Sequence, residues 1–386
     1  MDAELAIVGG GLAGLALANA VRSLPATLLA AEDAAPPAPA GSFDSRVYAL
    51  TPGNVAFLES IGVWRRLSMV RVAPVRTMRV FGDAAGSGIA FDAYRAGTDA
   101  LAWIVEDGAL QAALRGALAD AGRVTLRTGA RLERLEIEAA HANLRLQGGR
   151  TLRARLVVGA DGADSAVRTQ AEIEADRHPY PQRAVVANFA CMHPQPGVAF
   201  QWFQGGPVLA LLPLPDGQAS MVWSTGEAHA AQLLGLAPEA LCREVGRASG
   251  GVLGGLELRG PARAFALQRL VARRAVAPRV ALVGDAAHVI HPLAGQGANL
   301  GLQDARRLAE VLDAREPGRD PGDLRLLRRY ERARAEDVLA MQATVHGLWR
   351  LFGAHGAGWS RLRNAGLNLT DRLPVLKNLL IRRAMA

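Results

Sequence analysis

The sequence predicts an α/β fold: a Rossmann-like dinucleotide-binding domain with a β-rich domain inserted into it. Three observations carry that reading. An apolar strand at the amino terminus runs into the turn Gly9-Gly10-Gly11-Leu12-Ala13-Gly14. A second glycine-rich turn follows an apolar strand near residue 285, and segments between residues 180 and 225 alternate as strands do.

Leu5 to Val8 is the first strand, and a helix pattern of Leu12, Leu15, Ala16 and Ala20 follows the turn. Gly9, Gly11 and Gly14 hold the three glycine positions of G-x-G-x-x-G. The first allows a tight turn, the second lets backbone meet a pyrophosphate, and the third lets helix pack on strand. A second apolar strand, Thr27 to Ala31, ends at Glu32. An acid about 20 residues past the glycines accepts hydrogen bonds from an adenosine ribose. Ala34 to Gly41 is a Pro/Ala loop, Val55 to Ile61 a helix, and Met78 to Ala93 a run of short strands. Residues 107–121 read as a helix with Asp107 as N-cap and Leu110, Ala113, Leu114 and Leu118 on one face.

Leu156 to Val158 is a further strand, ending in Gly159-Ala160-Asp161-Gly162, an Asp-Gly turn with an acid at its tip. Phe200-Gln201-Trp202-Phe203 and Met221-Val222-Trp223-Ser224 alternate as strands, and Leu233 to Ala248 is helical. Val280 to Val283 reads as a buried strand ending in Gly284-Asp285. That places a carboxylate at a strand's carboxyl end, where α/β folds bind ligands. Pro292, Gly295 and Gly297 then let backbone approach a flat ligand, because glycine has no Cβ to clash. Asn299 to Asp304 starts a helix whose first amides can face electron-rich oxygens. Leu373 to Arg383 reads as a short amphipathic helix, suited to packing on its own domain or a sister subunit, or to contact with a membrane surface.

Composition narrows the function classes. With 386 residues, half of them hydrophobic, the chain can bury a large core. Its acidic start, Met1-Asp2-Ala3-Glu4, is unlike a secretory signal and predicts a cytoplasmic protein. Cys191 and Cys242 have neither disulfide-framework nor zinc spacing. The net charge is +8, yet the arginines are dispersed, without aromatic interleaving, so no nucleic-acid partner is expected. Arg325, Arg328, Arg329 and Arg332 share one helix face and read as a solvated stripe, with contact to anionic lipid or an acidic partner as the competing reading. Lys377 is the sole lysine, which excludes a Walker lysine and, outside the tail, a Schiff base. His288 and His291, on a Gly/Pro loop with no third ligand, make a poor metal site and are expected to fix that loop by hydrogen bonds.

The Gly9–Gly14, Asp161-Gly162 and Gly284-Asp285 segments resemble, in order and spacing, the three fingerprints of class A flavoprotein monooxygenases. Asp44 to Leu50 followed by Gly62-Val63-Trp64, Gly206-Pro207 through Leu214 to Val222-Trp223, and His291-Pro292 to Gly301 resemble the ubiquinone-biosynthesis hydroxylase branch. The resemblance covers nearly the whole chain. It implies the para-hydroxybenzoate-hydroxylase type of fold, non-covalent FAD, NADPH or NADH as a transient donor, and O2. It also implies roles. Gly9, Gly11 and Gly14 would cradle the pyrophosphate and Glu32 the adenosine ribose. Arg46 would lie near the flavin or its phosphates, Asp161 near the groove, and Asp285 on the ribityl chain. Pro292, Gly295, Gln296, Gly297 and Asn299 would form the loop against the flavin ring. Asp107 stands where relatives often carry Asn, Arg or Gln near the flavin, so helix capping is the expectation there. The cofactor carries the chemistry, and no catalytic side chain is singled out.

Phe200, Trp202, Leu212 and Trp223 are candidates for a substrate-pocket wall, with ordinary β-domain core as the competing reading. The flavin domain is expected from residues 1–72, 98–178 and 266–345, the β-rich substrate domain from 73–97 and 179–265, and a helical tail from 346–386. The function so implied is hydroxylation of an electron-rich ring, a prenylated phenol of ubiquinone biosynthesis. A different aromatic metabolite, a flavin-binding scaffold of a quinone-biosynthesis complex, and a prenyl reductase stay open. So do a homodimer and a peripheral place on the inner membrane face.

Overall fold

The structure is a computed structural model and describes residues 2–33, 39, 41–83, 86–291 and 295–353. Apolar runs interleaved with helices build the first sheet. Its order is Val276–Ala277, Val280–Leu282, Thr151–Gly159, Ala3–Val8, Ala26–Leu29 and Val124–Arg127, and the hairpin Leu132–Ile137 and Ala142–Leu146 adds to the Thr151 strand. From Val280–Leu282 to Val124–Arg127 every pair is parallel. Leu5 and Ile7 point to one face, under helices Leu12–Ala20, Asp107–Ala121 and Gly297–Asp313. Ala6 and Val8 point to the other, under the hairpin. Burial on both faces explains why these strands read as unbroken apolar runs.

Register brings the strand ends together. Val8 lies beside Leu29 and Gly159, and Gly159 lies beside Leu282. The turns bearing Gly9, Glu32, Asp161 and Asp285 therefore leave from one edge, the place where parallel sheets bind nucleotides.

The second sheet has the order His288–Val289, Leu256–Ala272, Ala175–Cys191, Gln218–Gly226, Val208–Pro213, Val198–Phe203, Thr77–Phe81, Gly88–Asp92. Ala175–Cys191 and Leu256–Ala272, which run through the boundaries expected at 179 and 266, lie wholly in this sheet. One face of this sheet packs on helices Glu227–Gly235 and Pro238–Ala248. The sequence reads Leu233 to Ala248 as one helix. The structure divides it at Leu236-Ala237, because Pro238 lacks an amide and disfavours helical backbone before it.

A small sheet, Val47–Leu50 with Ala102–Glu106 and Ala73–Val75, stands between the two larger ones. The helix Leu324–Gly353 spans both: its Tyr330 is buried in the first core, and its Trp349 packs beside Tyr180 of the second sheet. No helix among the described residues is long and apolar enough to cross a membrane. Leu373 to Arg383, and most of the expected 346–386 tail, lie outside the described residues.

Candidate cofactor and substrate site

A cavity of about 1880 Å³ runs from the ends of the parallel strands to the second sheet. It exceeds the roughly 300–1,000 Å³ of a small-ligand pocket and has room for a dinucleotide and a second molecule. Gly9, Gly11, Glu32, Arg46, Asp161 and Asp285 all line it. So do Gly295, Gln296 and Gly297. Pro292 lies outside the described residues.

The three glycines of the first turn do different things. Gly9 has φ +121°, and a Cβ there would lie 2.1 Å from the Ala160 carbonyl oxygen. A Cβ on Gly14 would lie 2.0 Å from the Gly9 oxygen, so Gly14 serves helix packing and stays off the cavity wall. A Cβ on Gly11 would meet no protein atom within 4 Å and would project into open space. That is the geometry of a cradle for a bound group. Beside it Arg115 donates from Nη2 to the Gly10 oxygen at 3.3 Å, while its buried Nε has no partner. An orphaned guanidinium nitrogen beside a glycine turn suits a diphosphate. Arg115 escaped the sequence reading. The signal was the polar stripe Asp107, Gln111, Arg115 at i, i+4 and i+8, next to the apolar stripe of the same helix.

Asp107 is not the N-cap. Glu106 holds that position and makes no capping bond; its carboxylate takes Arg71 at 2.7 and 2.8 Å and the Asp44 amide at 2.7 Å. Asp107 is the first helical residue, and its Oδ1 accepts from Tyr48 Oη at 3.0 Å and from Gln111 Nε2 at 2.7 Å. Arg46 stands 4.0 Å from Asp107, over the Tyr48 ring. Partial enclosure opposes the Arg46 charge, but the carboxylates of Asp107, Asp285 and Asp44 around it hold the guanidinium firmly protonated. Burial, more than the nearby Asp107, pushes the Tyr48 hydroxyl well above its ordinary value, so it acts as a donor.

Asp161 lines the cavity, but its carboxylate is engaged elsewhere. It accepts from Ser165 Oγ and, at 3.1 Å, from the Val167 amide, fixing the start of helix Ala166–Gln170. Asp285 is free to meet a ligand: it opens onto the cavity and is walled by protein behind. That enclosure pushes its carboxyl above the ordinary range, with Arg46 and His288 opposing.

Beneath Asp285 lies a network that the sequence reading did not contain. Asp304 Oδ2 accepts from the Gly284 amide at 3.0 Å and pairs with His288 Nε2 at 2.6 Å. Asp304 Oδ1 accepts from Arg334 Nε at 2.8 Å. All three side chains are buried. Arg334 comes from a different helix, so local spacing gave no signal. His288 does fix the loop by hydrogen bonding, as expected. His291 Nε2 donates to Gln182 Oε1 at 3.1 Å, and burial pushes that imidazole down to about 4, leaving it neutral.

Asn299 corrects an expectation. Its helix begins at Gly297, and Asn299 is fully buried in the first turn. Its Oδ1 accepts from the Thr51 amide at 3.0 Å and from Asn54 Nδ2 at 2.9 Å; its Nδ2 donates to the Ala49 oxygen at 2.8 Å. Asn299 holds the loop to the small sheet and is not on the cavity wall.

The aromatic wall is also corrected. Phe200, Trp202 and Trp223 face the helices on the far side of the second sheet, with Phe200 and Trp223 almost wholly buried. Their neighbours one residue away, Ala199, Gln201, Val222 and Ser224, face the cavity with Leu212. Strand periodicity separates the two faces but does not say which one meets a ligand.

A family model described as FAD binding domain matches residues 2–344. The 3-demethoxyubiquinol 3-hydroxylase of Escherichia coli is 35% identical over 99% of this chain and 98% of its own. Ubiquinone hydroxylase UbiL of Rhodospirillum rubrum is 35% identical, covering 99% and 89%. The mitochondrial ubiquinone biosynthesis monooxygenase COQ6 of Drosophila melanogaster is 32% identical, covering 99% and 89%. Among solved structures, p-nitrophenol 4-monooxygenase PnpA of Pseudomonas putida superposes with TM-score 0.80 at 18% identity, covering 100% of this chain and 98% of that one. PqsL of Pseudomonas aeruginosa gives 0.77 at 24%, covering 95% and 100%. These two likenesses concern the fold.

Proposed function

Since the chain belongs to the FAD-binding monooxygenase family of the ubiquinone-biosynthesis hydroxylases, we propose that it hydroxylates the ring of a prenylated phenol. FAD is its cofactor, NAD(P)H its electron donor, and the reaction it catalyses is aromatic monooxygenation. One oxygen atom of O2 enters the ring, the other leaves as water, and NAD(P)H with a proton supplies the two electrons. The observation that carries the substrate reading is the continuity of one cavity from the glycine cradle to an apolar sheet face.

FAD, when bound, would supply the redox chemistry: hydride uptake from NAD(P)H and electron transfer to O2. The residues supply position. Gly11 and Arg115 would hold the diphosphate, Glu32 the ribose of the adenosine, and Asp285 the ribityl hydroxyls. Arg46, kept charged by its acidic neighbours, would face the phosphates or the flavin edge. The amides of Gly295 to Gly297, at the start of a 17-residue helix, would meet negative charge on the ring. At the far end Met78, Phe91, Ala199, Ala210, Leu212 and Val222 form an apolar wall that excludes water and suits a prenylated ring.

The test is turnover by the FAD-loaded protein. NAD(P)H oxidation should be slow alone and faster with a prenylated phenol, with a hydroxylated product. Rapid flavin reduction with no oxygenated product, and reduction of a prenyl double bond instead, would establish a reductase. Loss of quinone synthesis on deletion, but not on Asp285→Ala, would establish a scaffold.

A further inference from the structure

The cavity face of the second sheet is apolar except at two positions. Gln201, in the middle of Val198–Phe203, is 6% exposed and lines the cavity. Among the described residues its side-chain amide has no hydrogen-bond partner. Ser224, 3% exposed on Gln218–Gly226, lines the same cavity and likewise has no side-chain partner. Register sets the surroundings: Gln201 lies opposite Ala210, and Ala210 opposite Val222. The side chains next to Gln201 are therefore too small or too apolar to satisfy it.

The amide opens onto the cavity, so a bound molecule that displaces water from it must replace those hydrogen bonds or lose affinity. Three other polar side chains near the cavity are spent within the protein: Asn299 on the small sheet, half-buried Gln111 on Asp107, and half-buried Gln182 on His291 and Trp349. Gln201 is not. A carboxamide offers both a donor and an acceptor from one side chain. It can give a hydrogen bond to a ring oxygen or take one from a phenolic hydroxyl.

We propose that Gln201 is the specificity-determining residue for an oxygen substituent on the aromatic ring, with the prenyl tail left to the apolar wall. This rests on the hydroxylase reading above. A site built to bond a hydroxyl rejects the analogue lacking it, because its own polar group is then left unpaired.

The experiment uses FAD-loaded protein and two probes, ortho-geranylphenol and geranylbenzene, which differ only in the hydroxyl. Binding is read from the flavin absorbance spectrum under anaerobic conditions, with no turnover needed. The wild type should prefer the phenol by about tenfold, the size of one net hydrogen bond. Gln201→Met, similar in volume, should retain FAD and bind both probes alike. Gln201→Ala provides the same comparison if Gln201→Met does not load flavin. A preference for the phenol that survives in a flavin-loaded variant, or no preference in the wild type, overturns the role of Gln201 and leaves the hydroxylase reading standing. Binding of neither probe by the wild type overturns the prenylated-phenol reading and this inference with it.

Discussion

The Gly284 amide donates to the Asp304 carboxylate at 3.0 Å, twenty residues along the chain. This bond fixes the turn from which Asp285 reaches the cavity, and it draws His288 and Arg334 into the same buried cluster.

The cluster gives stability a defined pH dependence. Burial opposes both charges, but mutual attraction wins: the His288 pKa is raised above 6.5 and the Asp304 pKa, with Arg334 also contributing, is lowered below 3.8. The histidine contribution is full below 6.5 and is lost as pH rises through its raised value; the carboxylate contribution is full above 3.8 and is lost as pH falls through its lowered value. Asp304→Ala should cost about 3–5 kcal/mol near pH 6, because it strands buried cations. The deficit should narrow toward either extreme. Thermal midpoints of wild type and variant across pH check this, and a pH-independent deficit contradicts it.

Asp304 and Arg334 show why the network beneath Asp285 was hidden in the sequence. That Gly9, Gly11, Glu32 and Asp285 end strands at one sheet edge, around one cavity, was legible because a strand, a turn and a helix start are local signals. Asp304 and Arg334 meet only through the packing of two helices, as Asn299 meets Thr51 and Asn54 only in the fold. Alternation in Phe200-Gln201-Trp202 revealed a two-faced strand. The helices Glu227–Gly235 and Pro238–Ala248 decide that Phe200 and Trp202 pack inward and Gln201 faces the cavity.

Asp285 carries a cost in the apoprotein. Enclosure raises its carboxyl above 3.8 against the pull of Arg46, so its ionisation opposes folding once pH exceeds the raised value. Asp285→Asn should therefore raise the apoprotein's thermal midpoint at neutral pH, and the gain should vanish below 3.8, where the carboxyl is protonated in either state. FAD should bind about ten- to hundredfold more weakly, the loss of a charge-assisted hydrogen bond. Unaltered FAD affinity in this variant removes Asp285 from the site.

Gly11 and Gly14 should separate flavin binding from folding. Gly11→Val adds a side chain into open space at φ −83°, a conformation any residue adopts. The apoprotein should keep its thermal midpoint and fail to retain FAD. Gly14→Val forces a Cβ to 2.0 Å from the Gly9 oxygen and should yield little folded protein. Soluble yield, thermal melting and flavin content read both outcomes; flavin retained by Gly11→Val contradicts the cradle.

Arg115 should behave as a ligand of the diphosphate. Arg115→Leu removes a partly buried cation whose Nε has no protein partner. FAD should be lost about ten- to hundredfold more readily on gel filtration. Retention equal to wild type assigns Arg115 to the Gly10 contact alone.

As an aromatic monooxygenase, this chain puts oxygen from O2 onto an aromatic ring. The direct measurement is mass spectrometry of the product formed by FAD-loaded protein from NADPH or NADH, ortho-geranylphenol and isotope-labelled O2. The product should carry the heavy isotope in a ring hydroxyl, and an unlabelled hydroxyl when the label is in water. A product labelled from water, or one with a reduced prenyl double bond and no new oxygen, contradicts it.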